Sequence, residues 1–402
     1  MYPRWSRGFS LLVVAAFIFS NSYSSNLCFA QATEAVPAIQ QAVTTPSPVV
    51  VGPGDVALSD LKSHGISLQN QLIYDWSRAF SDSAPSSGFG RYSYDLYLPV
   101  DGEKLLGLKG SDAMLRLKHH MRHFGNDCVG ESQLYSNIDA NSRTILYEAW
   151  VEQKVLSDKL RFKGGKIDAN TEFAVVQNAG DFLNSSMGFS PTIVAFPTYP
   201  EPKLGFNAFY RGKSAYTAGV GVFQTAGLGR LTVVEPGRNW NVESESVPGR
   251  VSVGYWRLDG GTIPQYDGKQ TSGAQGFYSV LEQSLYRSKS SSRGVSGFLQ
   301  LGTAEGRISP FTHHVGGGAI LQNPCRKRAK DSLGIATTWV RFTSYPRAGF
   351  DFASETVVEG YYKATLTSHV SFVQDVQYFH HPGGLRANPD TPVITPRLVI
   401  SF

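Results

Sequence analysis

Three pairs of neighbouring histidines, His119–His120, His313–His314 and His380–His381, are the residues in this 402-residue chain whose types suggest metal chemistry. A bound metal needs donors converging on one point. Neighbours on a strand point to opposite faces, and no Cys or carboxylate stands at a ligand-like spacing, so no metal and no cofactor is expected. "VGGGA" (315–319) lacks the Lys-Ser/Thr of a phosphate loop and precedes no helical pattern. "GVSGF" (294–298) is not a nucleophile elbow and lies inside a strand pattern. Nothing nominates a nucleophile, a base and an orienting group at one point; an enzyme is not expected. What remains is charge. In "AMLRLKHHMRH" (113–123), Leu115, Leu117, His119 and Met121 alternate with Arg116, Lys118, His120 and Arg122. As a strand this is a mostly apolar face backed by a basic ladder; as a helix the cations would smear around the circumference.

The elements that carry such a ladder come after an N-terminal export signal. Residues 1–30 hold Arg4 and Arg7 and no acid, then an apolar run from Phe9 to Phe19, then small residues with cleavage sites after Ala30 or Ala32. The run is too short for a spanning helix. Leu27 before Cys28 argues against lipidation. Losing two Arg takes the formal charge from +5 to +3, a balance that does not suit a nucleic-acid binder. Residues 31–60 are rich in Ala, Pro, Thr, Val and Gln and read as a flexible periplasmic leader; 61–402 reads as one domain. Cys128 and Cys325 are expected at opposite ends of that domain, without a disulfide.

The two-residue period recurs. "QNQLIYDWS" sets Leu72, Tyr74 and Trp76 against Gln71, Asp75 and Ser77; "RYSYDLYLPVD" sets Tyr92, Tyr94, Leu96, Leu98 and Val100 against Arg91, Ser93, Asp95 and Asp101. "SHVSFVQDVQYFH" and "VITPRLVISF" repeat it, and the last run ends with Phe402 on its apolar side. Segments of about ten residues with one apolar face, aromatics near their ends (Tyr74, Trp76, Tyr92, Tyr94, Tyr361, Tyr362) and turn residues between them are the pattern of a membrane barrel. A soluble sandwich would instead need guarded edges. Short connections at "VLSDK", "RGKS" and "LTSH" alternate with long ones at 124–143, 168–203, 343–354 and 381–391. The fold class is therefore all-β: a single transmembrane antiparallel β-barrel of about sixteen strands, with 225–249 ambiguous.

The run "YEAWVEQKVLSDKLRFKGGKIDANTEFAVVQNAGDFLNSSMGF" (147–189), followed by "PTYPEP" (197–202), resembles the carbohydrate-selective porins of Gram-negative outer membranes. So do "GFYSVLEQSLY" and the tail "QYFHHPGGLRANPDTPVITPRLVISF". The resemblance covers nearly everything from Leu61 to Phe402 and weakens around the unusually basic "CRKRAK". It implies a sixteen-stranded barrel in the cell outer membrane that passes monosaccharides, glucose-like ones above all, through a channel narrowed by inward-folded loops.

On a barrel wall the cationic face must look into water, because a lipid-facing Arg or Lys costs about 2–4 kcal/mol at mid-depth. The expected lining is Asp95, Arg116, Lys118 and Arg122, then Arg161 and Lys163 on the fifth strand, with Glu148 and Glu152 on the fourth sharing the face of Leu146 and Trp150. Adjacent basic and acidic strips offer charge-assisted hydrogen bonds, and aromatic platforms suit sugar rings. The 168–203 segment carries Phe173, Phe182, Phe189, Phe196 and Tyr199, too apolar for an exposed loop; it is expected to fold inward as a constriction, with Asn170, Glu172, Asn178, Asp181 and Asn184 as its polar atoms. A surface cap that engages a partner is the other reading of it. The functional expectation is passive diffusion of small sugars. The alternatives are a general or anion-favouring porin, since Arg and Lys outnumber acids in the early strands, or a barrel serving as anchor or adhesin. Expected partners are small sugars and outer-membrane lipid, with no nucleic acid; monomer and trimer both remain open.

Overall fold

On the third strand, Leu115 and Leu117 are 48% and 46% exposed while Arg116 and Lys118 are 6% and 5% exposed. One face is turned out and the other in, and the same alternation runs around the molecule. The computed structural model describes residues 61–402 except 82–87, 123–128, 213–214, 241–246 and 326. The export signal and the whole of the leader fall outside the described residues.

The strands are β1 (Gln69–Ala79), β2 (Phe89–Asp101), β3 (Ser111–Arg122), β4 (Arg143–Val155), β5 (Leu160–Ile167), β6 (Lys203–Arg211), β7 (Tyr216–Gln224) and β8 (Gly229–Trp240). They continue as β9 (Gly249–Pro264), β10 (Gln270–Arg287), β11 (Gly294–Ala304), β12 (Phe311–Gln322), β13 (Ser332–Phe342), β14 (Ser354–Thr365), β15 (Val370–His380) and β16 (Thr391–Ser401). Each pairs antiparallel with its sequence neighbours, and β1 closes on β16 through Leu72 opposite Ile400 and Tyr74 opposite Leu398. Closure leaves no sheet edge, so every backbone N–H and C=O at membrane depth can be paired within the wall. Among the described residues no helix is long and apolar enough to cross a membrane; this chain crosses with strands. Within the 225–249 stretch, ambiguous in sequence, 225–228 make the turn between β7 and β8 and 229–240 form β8, while 241–246 lie outside the described residues.

Sixteen consecutive hairpin strands sort the connections onto two rims. The short ones at 156–159, 288–293, 323–331 and 366–369 share a rim with both barrel ends; the long ones at 168–202, 343–353 and 381–390 lie on the other. One short helix, α1 (Gly102–Leu106), sits on the short-turn rim, capped by the Asp101 carboxylate on the Lys104 N–H at 3.0 Å and ended by Gly107 at φ 69°, a left-handed conformation that glycine adopts without strain. Cys325, on that rim, is exposed and free; Cys128 lies outside the described residues.

Two sequence expectations need correction. Tyr361 does not join the outer aromatic girdle: it points inward and meets the Phe182 ring edge-on at 4.8 Å. Its neighbour Tyr362 takes the outward place, because the pleat allows only one of two adjacent residues on each face. Leu146 does not share the face of Glu148. A bulge in the β3–β4 ladder sets Arg116 opposite Glu148 but Leu117 opposite Leu146, so Tyr147 is the extra residue. The parity of β4 shifts there, leaving Leu146 outward while Tyr147, Glu148 and Glu152 are buried inside.

Candidate functional site: the lumen wall and its inward loops

The inward faces of β2, β3 and β4 bring Asp95, Arg116, Lys118 and Glu148 together. Arg116 donates from Nε to Asp95 at 2.8 Å and from Nη1 to Glu148 at 3.1 Å. Lys118 donates to the second Asp95 oxygen at 2.9 Å and to Ser93 at 3.1 Å. The Arg116 guanidinium lies between two tyrosine faces, 4.6 Å from the Tyr97 ring centre and 4.5 Å from that of Tyr147. The Lys118 ammonium sits 4.8 Å from Tyr147 and 5.2 Å from Tyr199. Each cation thus has a carboxylate and an aromatic face, which offsets its desolvation and fixes its geometry.

A second cluster follows on β4 and β5. Arg161 reaches Glu152 at 2.8 Å and Glu172 of the long loop at 2.6 Å; Lys163 reaches Glu152 at 3.3 Å and also pairs with Glu172. Arg161 stacks on Phe209 at 4.3 Å and Lys163 on Trp150 at 3.8 Å. The cation excess apparent from β3 and β5 alone is balanced once Asp95 of β2 and Glu172 of the loop stand beside those strands. Arg122 lies near the long-loop rim, more exposed, 3.4 Å from Asp139.

The 168–202 loop runs inside the barrel. Phe173, Phe189 and Phe196 are buried with Phe223, Leu231, Trp256, Leu258 and Tyr278 of the β7–β10 wall. Phe182 is buried with Phe298 and Tyr361 farther round. Asp168 pins the loop's two ends: its carboxylate accepts from the Asn170 N–H at 3.0 Å, from Thr198 at 2.6 Å and from Tyr147 at 2.5 Å. Asn170 bonds the Phe173 carbonyl at 3.2 Å, and Asp181 is held by Lys363 at 2.6 Å and Ser332 at 3.1 Å. Asn178 and Asn184 are likewise turned into contacts with the wall and with the neighbouring loop rather than free in the bore. Tyr199 donates to the Ile138 carbonyl at 2.7 Å, tying this loop to a second one.

Sequence reasoning did not foresee that second loop, 129–142, as an inward element. Its Tyr135 is buried and accepts from Arg91 at 2.7 Å, and its Ser136 donates to Asp75 at 2.6 Å. Its Asn137 meets Arg397 at 2.8 Å, beside the buried Asp75–Arg397 pair at 2.6 Å. Also unforeseen were the wall carboxylates that accept loop backbone N–H groups. Glu148 takes Asp168, Glu235 takes Ala174, Glu282 takes Asn178, Glu355 takes Ser132, Gln133 and Gly383, and Glu359 takes Leu183 and Asn184. For Glu235, Glu355 and Glu359 the available signal was an inward-facing acid with no basic residue across the ladder, as with Glu359 opposite Ala336 and Gln377, whereas Glu148 faces Arg116 and Glu282 faces Arg250.

The histidine pairs divide as strand neighbours do at two positions. His119 contacts Thr144 and Tyr92 outside, whereas His120 lies inside against Tyr199; His314 is buried between Ser190 and Thr338. The third pair departs from that expectation. His381 leaves the strand at φ 55° and its ring lies 3.8 Å from that of His380. Among the described residues no cluster of three metal-ligating side chains exists.

A closed sixteen-stranded barrel with a lipid-facing exterior and a charged interior narrowed by folded-in loops defines an outer-membrane channel of the porin class. The chain belongs to the OprB family of carbohydrate-selective porins, whose profile matches residues 57–227 and 224–402. Membership places it in the outer membrane as a transport channel. No curated protein sequence matches it. Among solved structures it is similar to Pseudomonas putida OprB at high pH, with 15% identity, TM-score 0.79 and coverage of 90% of this chain and 100% of that one. The low-pH structure of that protein follows at 16% identity, TM-score 0.61, and 89% and 100% coverage. An anion-selective porin from Comamonas acidovorans aligns at 11% identity, TM-score 0.53, and 84% and 99% coverage. At such identities the likeness concerns the fold.

Proposed function

We propose that this porin conducts small neutral sugars, glucose-like monosaccharides first among them, down their gradient, and that the residues expected to line it do the selecting. One observation carries the reading. Arg116, Lys118, Arg161 and Lys163 are each paired with a carboxylate, so the narrowed lumen is dense in donors and acceptors without a large excess of either charge. An ion gains little net attraction from such a wall, whereas a hydroxyl both donates and accepts. Tyr97, Tyr147 and Tyr199 pack their ring faces on Arg116 and Lys118 and hold those cations in place beside the bore.

Inward burial of the aromatic loop residues narrows the bore without closing the wall, so selectivity arises from size and weak, reversible hydrogen bonding, which is what flux requires. Liposome swelling with a sugar series, paired with zero-current potentials in planar bilayers, tests this. Faster entry of monosaccharides than of disaccharides, with a potential near zero in a salt gradient, is the expected result. A strong anion preference unaffected by glucose would replace the sugar reading with an anion-favouring pore, and absence of any conductance would leave an anchor.

A further inference from the structure

The turn joining β12 to β13 is the most basic stretch of the chain, and the sugar channel makes no use of it. Lys327, Arg328 and Lys330 are all exposed there on the short-turn rim. The end of β10 and the neighbouring β10–β11 connection on the same rim add Arg287, Lys289 and Arg293, also exposed. The two turns are knitted together: Asn323 donates to the Ser292 hydroxyl at 2.9 Å, which in turn donates to the Ala329 carbonyl at 3.1 Å. Arg328 is paired with Asp331. Among the described residues none of the other five cations forms an ion pair. Within 287–293 and 323–331 there is a single acid, Asp331. Such a concentration is unusual in a chain whose formal net charge is only +5.

What lies next to the arc identifies its occupant. Leu285 and Tyr286, at a bulge near the end of β10, and Leu333 and Ile335, on the outward face of β13, are large, exposed apolar side chains immediately above the turns. Tyr362, at the same end of β14, hydrogen-bonds Asp331. Tyrosines at strand ends mark the headgroup level of a bilayer, so the exposed ammonium and guanidinium groups beside them stand at the level of lipid phosphates. We infer that this arc binds the phosphodiester headgroups of anionic phospholipids in the leaflet at the short-turn rim, which for an outer-membrane barrel is the periplasmic one. Clusters of this size next to a membrane surface attract acidic lipids additively. The inference rests on membership of an outer-membrane family and is independent of which solute passes.

The test uses the full chain in vesicles of phosphatidylcholine mixed with phosphatidylglycerol. After mild detergent extraction, the lipids retained by the protein are measured by mass spectrometry. Wild type should retain phosphatidylglycerol in preference to phosphatidylcholine. The variant Lys289→Glu/Lys327→Glu/Lys330→Glu should lower that preference roughly tenfold or more, while Lys269→Glu/Arg347→Glu on the opposite rim leaves it unchanged. Equal loss in both variants, or loss in neither, overturns the proposal. Should the triple variant fail to give a heat-modifiable folded band, wild type decides. With Cys28 and Cys128 replaced by Ser and a polarity-sensitive dye on Cys325, emission should respond to added phosphatidylglycerol and lose that response at molar salt. A salt-insensitive response, or an equal one produced by free glycerophosphate without lipid, also overturns it.

Discussion

The carboxylate of Glu359, on the inner face of β14, accepts the backbone N–H groups of both Leu183 and Asn184, the latter at 3.2 Å. The wall here grips the main chain of the constriction loop rather than its side chains. Glu148, Glu235 and Glu282 do the same at other points, and Glu355 grips the main chain of the 129–142 and 381–390 loops in the same way. Such a bond holds whatever side chains the loop carries, and it adds to the side-chain anchors at Phe173, Glu172 and Asp181.

Removing that grip should loosen the loop. Glu359→Ala strands two buried N–H groups at roughly 1–3 kcal/mol each. Single-channel recordings should show a larger, noisier conductance, and liposome swelling weaker discrimination between mono- and disaccharides. A quiet channel of unchanged size would contradict this role.

Lumen neutrality should depend on Arg161, which is partly exposed and pairs with Glu152 and Glu172. Arg161→Gln leaves Lys163 to balance both carboxylates. The zero-current potential in a salt gradient should move toward cation preference, with the barrel still folded, and the shift should shrink as ionic strength rises.

Orientation of the wall is tested from outside. Leu115→Arg puts a cation on the lipid face of β3 and should cost about 2–4 kcal/mol if the site lies near mid-depth. Leu106→Arg, on exposed α1, should cost almost nothing. Reversible urea unfolding in lipid vesicles gives both values, and equal values would invert the assignment of faces.

On the long-loop rim, Asp390 accepts from the His381 N–H at 2.9 Å, is 2.6 Å from the His380 ring and accepts from Tyr378 at 3.1 Å. Partial burial pushes its carboxyl up, but these hydrogen bonds outweigh burial and hold it below the ordinary 3.8. A depressed carboxyl stabilises the fold above its unfolded value and loses that contribution as pH falls through the folded one. Protease nicking of 381–390 should therefore rise as pH drops below about 3.8, and in Asp390→Asn it should be high already at neutral pH.

Much of this was legible in the residues themselves. The Leu115/Arg116/Leu117/Lys118 alternation specified which face meets lipid, because side-chain direction in a strand follows position alone. The apolar density of 168–203 showed that the loop had to hide its rings. Tyr147 was not legible: whether β4 bulges depends on the ladder with β3, which neither strand reveals alone. The inward path of 129–142 was hidden for another reason. Its anchors, Arg91, Asp75 and Arg397, come from β2, β1 and β16, and only closure of the barrel brings those strands side by side.

By itself, then, the sequence determined that the chain alternates, closes and spans a membrane, since period, strand length and face chemistry are local properties. The tertiary structure alone decided how the charges pair, Arg116 with Asp95 and Glu148, Arg161 with Glu152 and Glu172. Pairing is a matter of a few ångströms between residues up to tens of positions apart, and those distances exist only after the sheet has curled and the loop has folded into it.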